Sequence, residues 1–194
     1  DPLLAPALAA GMKAQGFSDS VLGADRMAGA GNGYGPKALA PLAKAAGTML
    51  AAADGPRVAV LEMNGWDTHA GQGRVKGRLA ANLAGLGNGL AELAAAAGPS
   101  WRQTVVVAIS EFGRTVAVNG TNGTDHGTAG CALVMGGAVR GGRVLADWPG
   151  LAPRALYQNR DLRSTLDARG LFKGILAAHL GLRRPALDKV FPDS

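Results

Sequence analysis

The sequence predicts an α/β fold in which helices pack on the faces of a mostly parallel sheet. Two observations lead to this prediction. Short, nearly continuous apolar runs suit strands that are buried on both faces of a parallel sheet. Amphipathic stretches precede and follow these runs and suit helices, and the order from the first apolar run onward is strand, helix, strand, loop, strand, helix.

Four segments have the pattern of helices: 2–15, 36–53, about 73–97 and 166–182. The third has apolar residues at steps of three and four, namely Val75, Leu79, Leu83, Leu86, Leu90 and Leu93. Gly98-Pro99 ends this helix, and Gly181 is a stop signal for the last one. Three segments have the pattern of buried strands: 57–63 (RVAVLEM), 104–110 (TVVVAIS) and 131–137 (CALVMGG).

Length and composition exclude several classes of protein. The chain has 194 residues, which suit one domain, and 47% of them are hydrophobic, so the chain is neither disordered nor collagen-like. Cys131 is the single cysteine, which excludes an internal disulfide framework and a CxxC metal knuckle. No apolar run of about 18 residues predicts a membrane span.

The formal net charge of +6 comes mainly from the C-terminal half of the chain. Residues 101–194 contain 12 Lys and Arg against 7 Asp and Glu. These cations are scattered singly, so the pattern favours a solvated basic face over a nucleic-acid groove. A basic protein attracts anionic substrates by electrostatic steering.

Three loops beside the predicted strands combine polar residues that suit chemistry. NGWDTH (64–69) follows the first strand, SEFGRT (110–115) follows the second, and GTDHG (123–127) precedes the third. Sites of open parallel sheets gather at the carboxyl ends of the strands. Carboxylate and imidazole donors together suit Zn, Mn or a mixed two-metal site. The candidate metal ligands are Asp67, His69, Glu111, Asp125 and His126.

Each loop also has a simpler interpretation. Asp67 and Thr68 could cap the helix that is expected to start near Gly73. Glu111 could form a surface ion pair with Arg114. GTDHG could be a turn, because Asn, Gly and Asp dominate this stretch. The third histidine, His179, lies near a helix C-terminus, where a structural interaction with the helix dipole is favoured over catalysis.

The order of these motifs resembles a bacterial domain-of-unknown-function family, number 1501. The resemblance spans roughly residues 57–192 and rests on GWDTH, a helix, TVVVAISEFGRT, GTDHG with CALVMGG, then LRSTLD and KVFP. That family is similar to the alkaline phosphatase and sulfatase superfamily. The resemblance implies a three-layer αβα sandwich with a mostly parallel sheet and a metal centre at the sheet's carboxyl edge.

The superfamily pattern also assigns residues. One ion would be held by Asp67, His69 and His126. The second ion of the superfamily takes an Asp-His pair at a strand tip, and here that position is Glu111-Phe112, which departs from the pattern. Asp67 and His69 are also closer together in the sequence than the superfamily's usual pair. Arg114 is the candidate for stabilising charge on the leaving oxygen, and Glu111 is a second catalytic candidate.

The resemblance predicts a hydrolase of phosphate or sulfate esters that uses a divalent metal (Zn, Mn, Ca or Mg) and a small anionic ester substrate. It also predicts an exported, periplasmic protein with a Tat signal. We expect one domain over 1–194, with a helical segment at 1–55 and the sheet core at 56–194. The superfamily's nucleophile-bearing first strand is not recognisable before residue 57, so we expect this chain to be the C-terminal part of a longer protein. The alternative is a non-catalytic exported binding or assembly protein that retains the fold.

Overall fold

A computed structural model describes residues 35–194 and, before them, Met12 and Gly16. Apart from Met12, the predicted helix at 2–15 therefore lies outside the described residues. The chain divides into two compact units with the boundary between Thr104 and Val105. The single domain over 1–194, with a helical segment at 1–55 and a sheet core at 56–194, stays a prediction.

Two helices make up the core of the first unit. Helix α1 spans Leu39–Ala51 and helix α2 spans Arg78–Ala97, followed by a 3₁₀ helix over Gly98–Gln103. Both α-helices lie inside predicted segments, and α2 ends directly before Gly98-Pro99 as predicted. The buried apolar residues of the pair are small or aliphatic: Leu39, Ala43, Ala46, Leu93 and Ala97.

Glycine allows these two helices to approach closely. Gly47 of α1 is buried, and a Cβ at this position would lie 2.7 Å from the carbonyl oxygen of Leu93 and 2.8 Å from Cβ of Ala96. Gly89 of α2 faces the side chain of Leu39 at a similar spacing. Any side chain at Gly47 would therefore push α1 away from α2.

The buried face of α2 is displaced from the predicted leucine stripe. Its buried positions are Asn82, Gly85, Gly89, Leu93 and Ala97. Of the predicted stripe, Leu93 is buried, Leu83 is exposed, and Val75 precedes the helix and is exposed. The small residues of α2 allow α1 to approach closely and therefore form the contact face. Most of the leucines of α2 lie beside this face.

The predicted strand at 57–63 does not form. These residues are described but belong to no ladder, and the segment is largely exposed, with Val60 at 90%. An apolar, β-branched run favours extended backbone, but a strand also needs a partner at hydrogen-bonding distance. Whether a partner strand lies beside residues 57–63 depends on the tertiary structure, so the local sequence pattern does not predict it.

The strands of the second unit form two antiparallel pairs. Strand β1 (Val106–Ala108) pairs with β4 (Leu133–Met135), and β2 (Gly113–Arg114) pairs with β3 (His126–Gly127). Strands β1 and β4 lie within the predicted runs at 104–110 and 131–137, so their positions are confirmed. Their pairing is antiparallel, whereas the continuous apolar runs predicted a mostly parallel sheet. The three-layer sandwich stays a prediction.

The second unit ends in two helices. After a 3₁₀ turn at Pro153–Ala155, α3 spans Ala168–Leu180 and α4 spans Arg184–Val190. Gly181 follows α3 in the left-handed conformation (φ 66°), which confirms the predicted stop. Lys173 of α3 and Asp188 of α4 form an ion pair of 2.8 Å that joins the two helices.

Among the described helices, α2 is the longest at 20 residues, and neither it nor any other is both long and apolar enough to cross a bilayer. This finding agrees with the sequence, which predicts no membrane span.

Replacing Gly47 with Ala should destabilise the first unit, although Ala is the better helix former. The added methyl group would meet backbone and side-chain atoms of α2, and overpacking of this kind costs about 1–3 kcal/mol. The matched control is Gly87→Ala in α2, which has open space around its Cβ and should raise stability by up to about 1 kcal/mol. Urea unfolding measures both, and a stabilised Gly47→Ala variant would contradict the close contact.

Stability should respond to acid through Asp167, the N-cap residue of α3. The Arg169 guanidinium, which donates to the Asp167 carboxylate at 2.7 Å, lowers the pKa of that carboxyl below its usual value, and the Arg169 backbone N–H adds to the effect. A lowered folded-state pKa stabilises the protein above the unfolded pKa, and this contribution is lost as the pH falls through the folded value.

Asn at position 167 can still cap the helix but carries no charge. The melting temperature of the parent should therefore exceed that of Asp167→Asn at pH 7, and the gap should close below about pH 4. Melting curves followed by circular dichroism from pH 7 to pH 2 test this. A gap that widens on acidification would contradict the assigned pKa direction.

Candidate functional site

The candidate residues fall into two clusters, one in each unit. Asp67 and His69 lie in the first unit, on the loop that leads into α2. Glu111, Arg114, Asp125 and His126 lie in the second unit, on and around strands β2 and β3.

Two buried polar side chains fix the loop that carries Asp67 and His69. Thr68, between them, is 1% exposed, and its hydroxyl donates to Oε1 of Gln72 at 2.8 Å. Asn82 of α2 is also buried, and its Nδ2 donates to the carbonyl oxygen of Gly65 at 2.5 Å. Gly65 has a φ of 102°, a conformation that favours glycine, so the loop turns where Asn82 holds it.

Asp67 and His69 face solvent as a pair. Nε2 of His69 lies 3.0 Å from Oδ1 of Asp67, and the two side chains are 47% and 55% exposed, respectively. The burial of Thr68 anchors the backbone between them. A carboxylate oxygen and an imidazole nitrogen are therefore presented together on a fixed loop, as the sequence predicts.

Strands β2 and β3 hold the second cluster. Arg114 pairs with His126 and Gly113 with Gly127 in an antiparallel register. A Cβ at Gly127 would lie 2.7 Å from the carbonyl oxygen of Arg114, so glycine is required for this close pairing. The glycine that follows His126 in the sequence thus allows the close strand contact.

His126 stacks on an aromatic ring. Its imidazole lies parallel to the ring of Phe112, with centroids 4.4 Å apart and 11° between the planes. The guanidinium carbon of Arg114 lies 4.7 Å from the centre of the same ring, and Nη1 of Arg114 donates to the carbonyl oxygen of Thr124 at 2.8 Å. Phe112, which directly follows Glu111, is thus the residue on which His126 packs.

Asp125 belongs to the loop that precedes β3. Its carboxylate accepts a hydrogen bond from Nδ2 of Asn119 at 3.0 Å, and its backbone N–H donates to the hydroxyl of Thr115 at 3.1 Å. Oδ1 of Asn119 in turn accepts from the backbone N–H groups of Thr121 and Gly123. Residues 119–123 therefore form a tight turn. The simpler interpretation expected the turn at GTDHG itself, where His126 and Gly127 are instead paired in a strand.

Glu111 lies at the bend between β1 and β2 and is exposed. Its role as a metal ligand or catalytic residue stays a prediction. His179 lies in the last turn of α3, in agreement with the predicted place at a helix C-terminus. The capping interpretation of Asp67 and Thr68 is wrong, because α2 begins at Arg78 with Gly77 as its N-cap and has no side-chain cap hydrogen bond.

Sequence reasoning missed Arg160 and Asp161. Arg160 donates from Nη2 to the carbonyl oxygen of His126 at 2.9 Å, across 34 residues of sequence. Asp161 is buried beside it. Arg160 appeared only as one of many scattered arginines, and no local spacing links it to GTDHG. Asn119, by contrast, lies in the run of Asn and Gly that already indicated a turn.

The chain belongs to a family of proteins of unknown function. The family model described as "Protein of unknown function (DUF1501)" matches residues 9–191, nearly the whole chain. The membership predicted from the motifs is thereby confirmed. No curated protein and no solved structure matches the chain. The similarity of this family to the phosphatase and sulfatase superfamily stays a prediction.

Removing the Asn82 amide should loosen the loop that carries Asp67 and His69. Asn82→Ala deletes the donor to Gly65 and leaves a partly buried carbonyl without it, which costs about 1–3 kcal/mol of unfolding free energy. Hydrogen exchange of residues 64–72 should accelerate. Asn88→Ala is the matched control, because Asn88 lies on the same helix and is exposed, so its effect should stay within about 0.5 kcal/mol. Equal effects of the two changes would contradict the anchoring role.

Proposed function

We propose that this protein is a divalent-metal-dependent hydrolase of phosphate or sulfate esters, with metal ligands drawn from Asp67, His69 and His126. The observation that carries the proposal is the Asp67–His69 pair, in which a carboxylate oxygen and an imidazole nitrogen lie 3.0 Å apart on an anchored loop. Donor atoms that share one metal ion lie at about this separation, since each is roughly 2 Å from the ion.

The donor set favours some metals over others. Imidazole suits Zn and other transition metals, whereas Ca and Mg prefer ligand sets made of oxygen atoms. Asp67 with His69, and His126 as the further ligand that the family resemblance assigns, therefore fit Zn or Mn better than Ca or Mg. Asp125 and Glu111 are additional candidate ligands of the metal ion.

The simpler alternative for Asp67 and His69 is a surface ion pair. Such pairs are common and contribute little to stability, so their presence alone does not require a metal. Two buried side chains, Thr68 within the loop and Asn82 of α2, hold this one short loop. They favour a functional site, because fixing an exposed ion pair contributes little to the stability of the fold.

Arg114 is the proposed anion-stabilising residue. Its contacts with the Thr124 carbonyl and the Phe112 ring hold the guanidinium in place beside β3. A positive charge fixed before the reaction stabilises the developing negative charge of an ester's leaving oxygen. The net charge of +6 attracts an anionic substrate. A divalent ion, when bound, polarises the ester and lowers the pKa of the attacking water or hydroxyl.

A second candidate is a non-catalytic exported binding or assembly protein. The observation that favours it is Phe112, an apolar ring at the position where the resemblance expects a metal-binding His, stacked on His126. A chain with a packing residue in place of this ligand would retain the ligands of the first metal ion and lack those of the second. The two candidates differ in turnover and share the ability to bind metal.

Equilibrium dialysis of metal-stripped protein against Zn²⁺ or Mn²⁺, with elemental analysis of the bound ion, tests the proposal. The parent should bind metal, and both Asp67→Ala and His69→Ala should weaken binding at least tenfold because each removes a ligand. His126→Ala should do the same if the family pattern applies. The matched control is His179→Ala, which removes the remaining histidine and should leave the affinity unchanged.

Turnover is measured on aryl phosphates and aryl sulfates with the metal-loaded protein. The hydrolase is supported if the parent releases phenol, if His126→Ala abolishes this release and if Arg114→Ala reduces it. Metal binding without turnover supports the second candidate. Absence of metal binding by the parent, or loss of binding in His179→Ala alone, overturns the metal proposal.

A further inference from the structure

Asp161 is the one charged residue that is buried among residues 35–194. Its side chain is 5% exposed, and its carboxylate oxygens lie 3.3 and 3.4 Å from Nη1 of Arg160. Its Oδ1 has no hydrogen-bond partner within the described structure. Burying a carboxylate is costly unless a positive group compensates it, so Arg160 is required beside it.

The backbone around Asp161 is docked onto strand β2. Tyr157 and Asp161 exchange backbone hydrogen bonds of 2.8 and 3.0 Å, which closes a tight turn between them. The turn is joined to the residues that continue β2, because Thr115 pairs with Asp161 and the N–H of Val116 donates to the Arg160 carbonyl. The position of Arg160 is therefore fixed from its backbone as well as from its side chain.

The same guanidinium reaches the strand that carries the candidate metal ligand. Nη2 of Arg160 donates to the carbonyl oxygen of His126 at 2.9 Å, while Nη1 faces Asp161. A planar guanidinium can hold two such partners in a fixed geometry, which a single ammonium group cannot do as rigidly. Arg160 thus connects a buried carboxylate to the backbone of His126.

We propose that Arg160, oriented by the buried carboxylate of Asp161, positions the His126 imidazole by holding the His126 backbone carbonyl. The inference rests on the proposed function, in which His126 is a metal ligand. Arg160 and Asp161 are positioning residues and touch neither metal nor substrate. The physical reason is that the imidazole's direction depends on its backbone, and β3 is only two residues long, so its own ladder restrains it weakly.

Arg163 supplies a matched control on the same segment. It donates to the carbonyl oxygens of Ala155 and Leu156, so its hydrogen bonds stay within its own part of the chain. Replacing Arg163 by Ala removes the same charge and a similar number of hydrogen bonds as Arg160→Ala. The two variants differ in the link to His126.

The test that needs no metal is the NMR spectrum of histidine-labelled protein. The Phe112 ring, stacked 4.4 Å from His126, shifts the His126 ring protons upfield, and His126→Ala assigns these signals. In Arg160→Ala the upfield shift should shrink by at least half, and Asp161→Asn should reduce it too. Arg163→Ala should retain it. Arg160→Lys, which can still donate to the carbonyl, should recover part of it.

The second readout is Zn²⁺ affinity by calorimetry, at a temperature where every variant is folded by circular dichroism. Arg160→Ala should bind Zn²⁺ about tenfold more weakly, as is typical when a group that orients a ligand is removed, and Arg163→Ala should match the parent. An unchanged His126 signal in Arg160→Ala, or an equal loss in Arg163→Ala, overturns the positioning role. A parent that binds no metal refutes the proposed function, and the NMR comparison then decides the positioning role by itself.

Discussion

Buried polar side chains that hydrogen-bond to loops are the constraint on which both candidate clusters depend. The candidate residues lie on loops and two-residue strands, where regular ladders supply few hydrogen bonds. Thr68 and Asn82 hold the loop of Asp67, and the hydroxyl of Thr115 accepts from the backbone N–H of Asp125 next to His126. A buried polar group is costly unless it is paired, so each anchor is a specific restraint on the loop that it touches.

Glycine provides the second constraint, because it lets backbone segments approach more closely than any side chain would allow. In the first unit Gly47 brings α1 against α2, and in the second unit Gly127 brings β3 against β2. The abundance of glycine in the sequence, 30 residues, therefore reflects packing as well as turns. In the first unit small residues form the contact face of α2, and most of its leucines flank that face.

Phe112 holds together the candidate residues His126 and Arg114 of the second cluster. Its ring stacks on the imidazole of His126, and the guanidinium carbon of Arg114 lies 4.7 Å from the centre of the same ring, so the three side chains form one group. Stacking of this kind restricts ring rotation and leaves the nitrogen atoms at the ring edge. Phe112, at the position where the predicted resemblance expects a His, is thus a packing partner of a candidate ligand.

Local patterns predicted the helices well and the strands in part. The helices α1, α2 and α3 lie where apolar periodicity, Gly98-Pro99 and Gly181 placed them, because helical hydrogen bonds and stop signals are local. The runs at 104–110 and 131–137 contain strands, but the direction of their pairing did not follow from the runs. The run at 57–63, equally apolar, is exposed and unpaired within the described structure.

The sequence by itself determined the family, the helix boundaries near glycine and proline, and the Asp67–His69 pair, whose two-residue spacing keeps the donors together. The tertiary structure alone decided the antiparallel pairing of β1 with β4, the burial of Asp161 and the hydrogen bond from Arg160 to His126. The physical reason is separation along the chain. Contacts across 34 residues depend on how elements pack, and no local periodicity or motif encodes that packing.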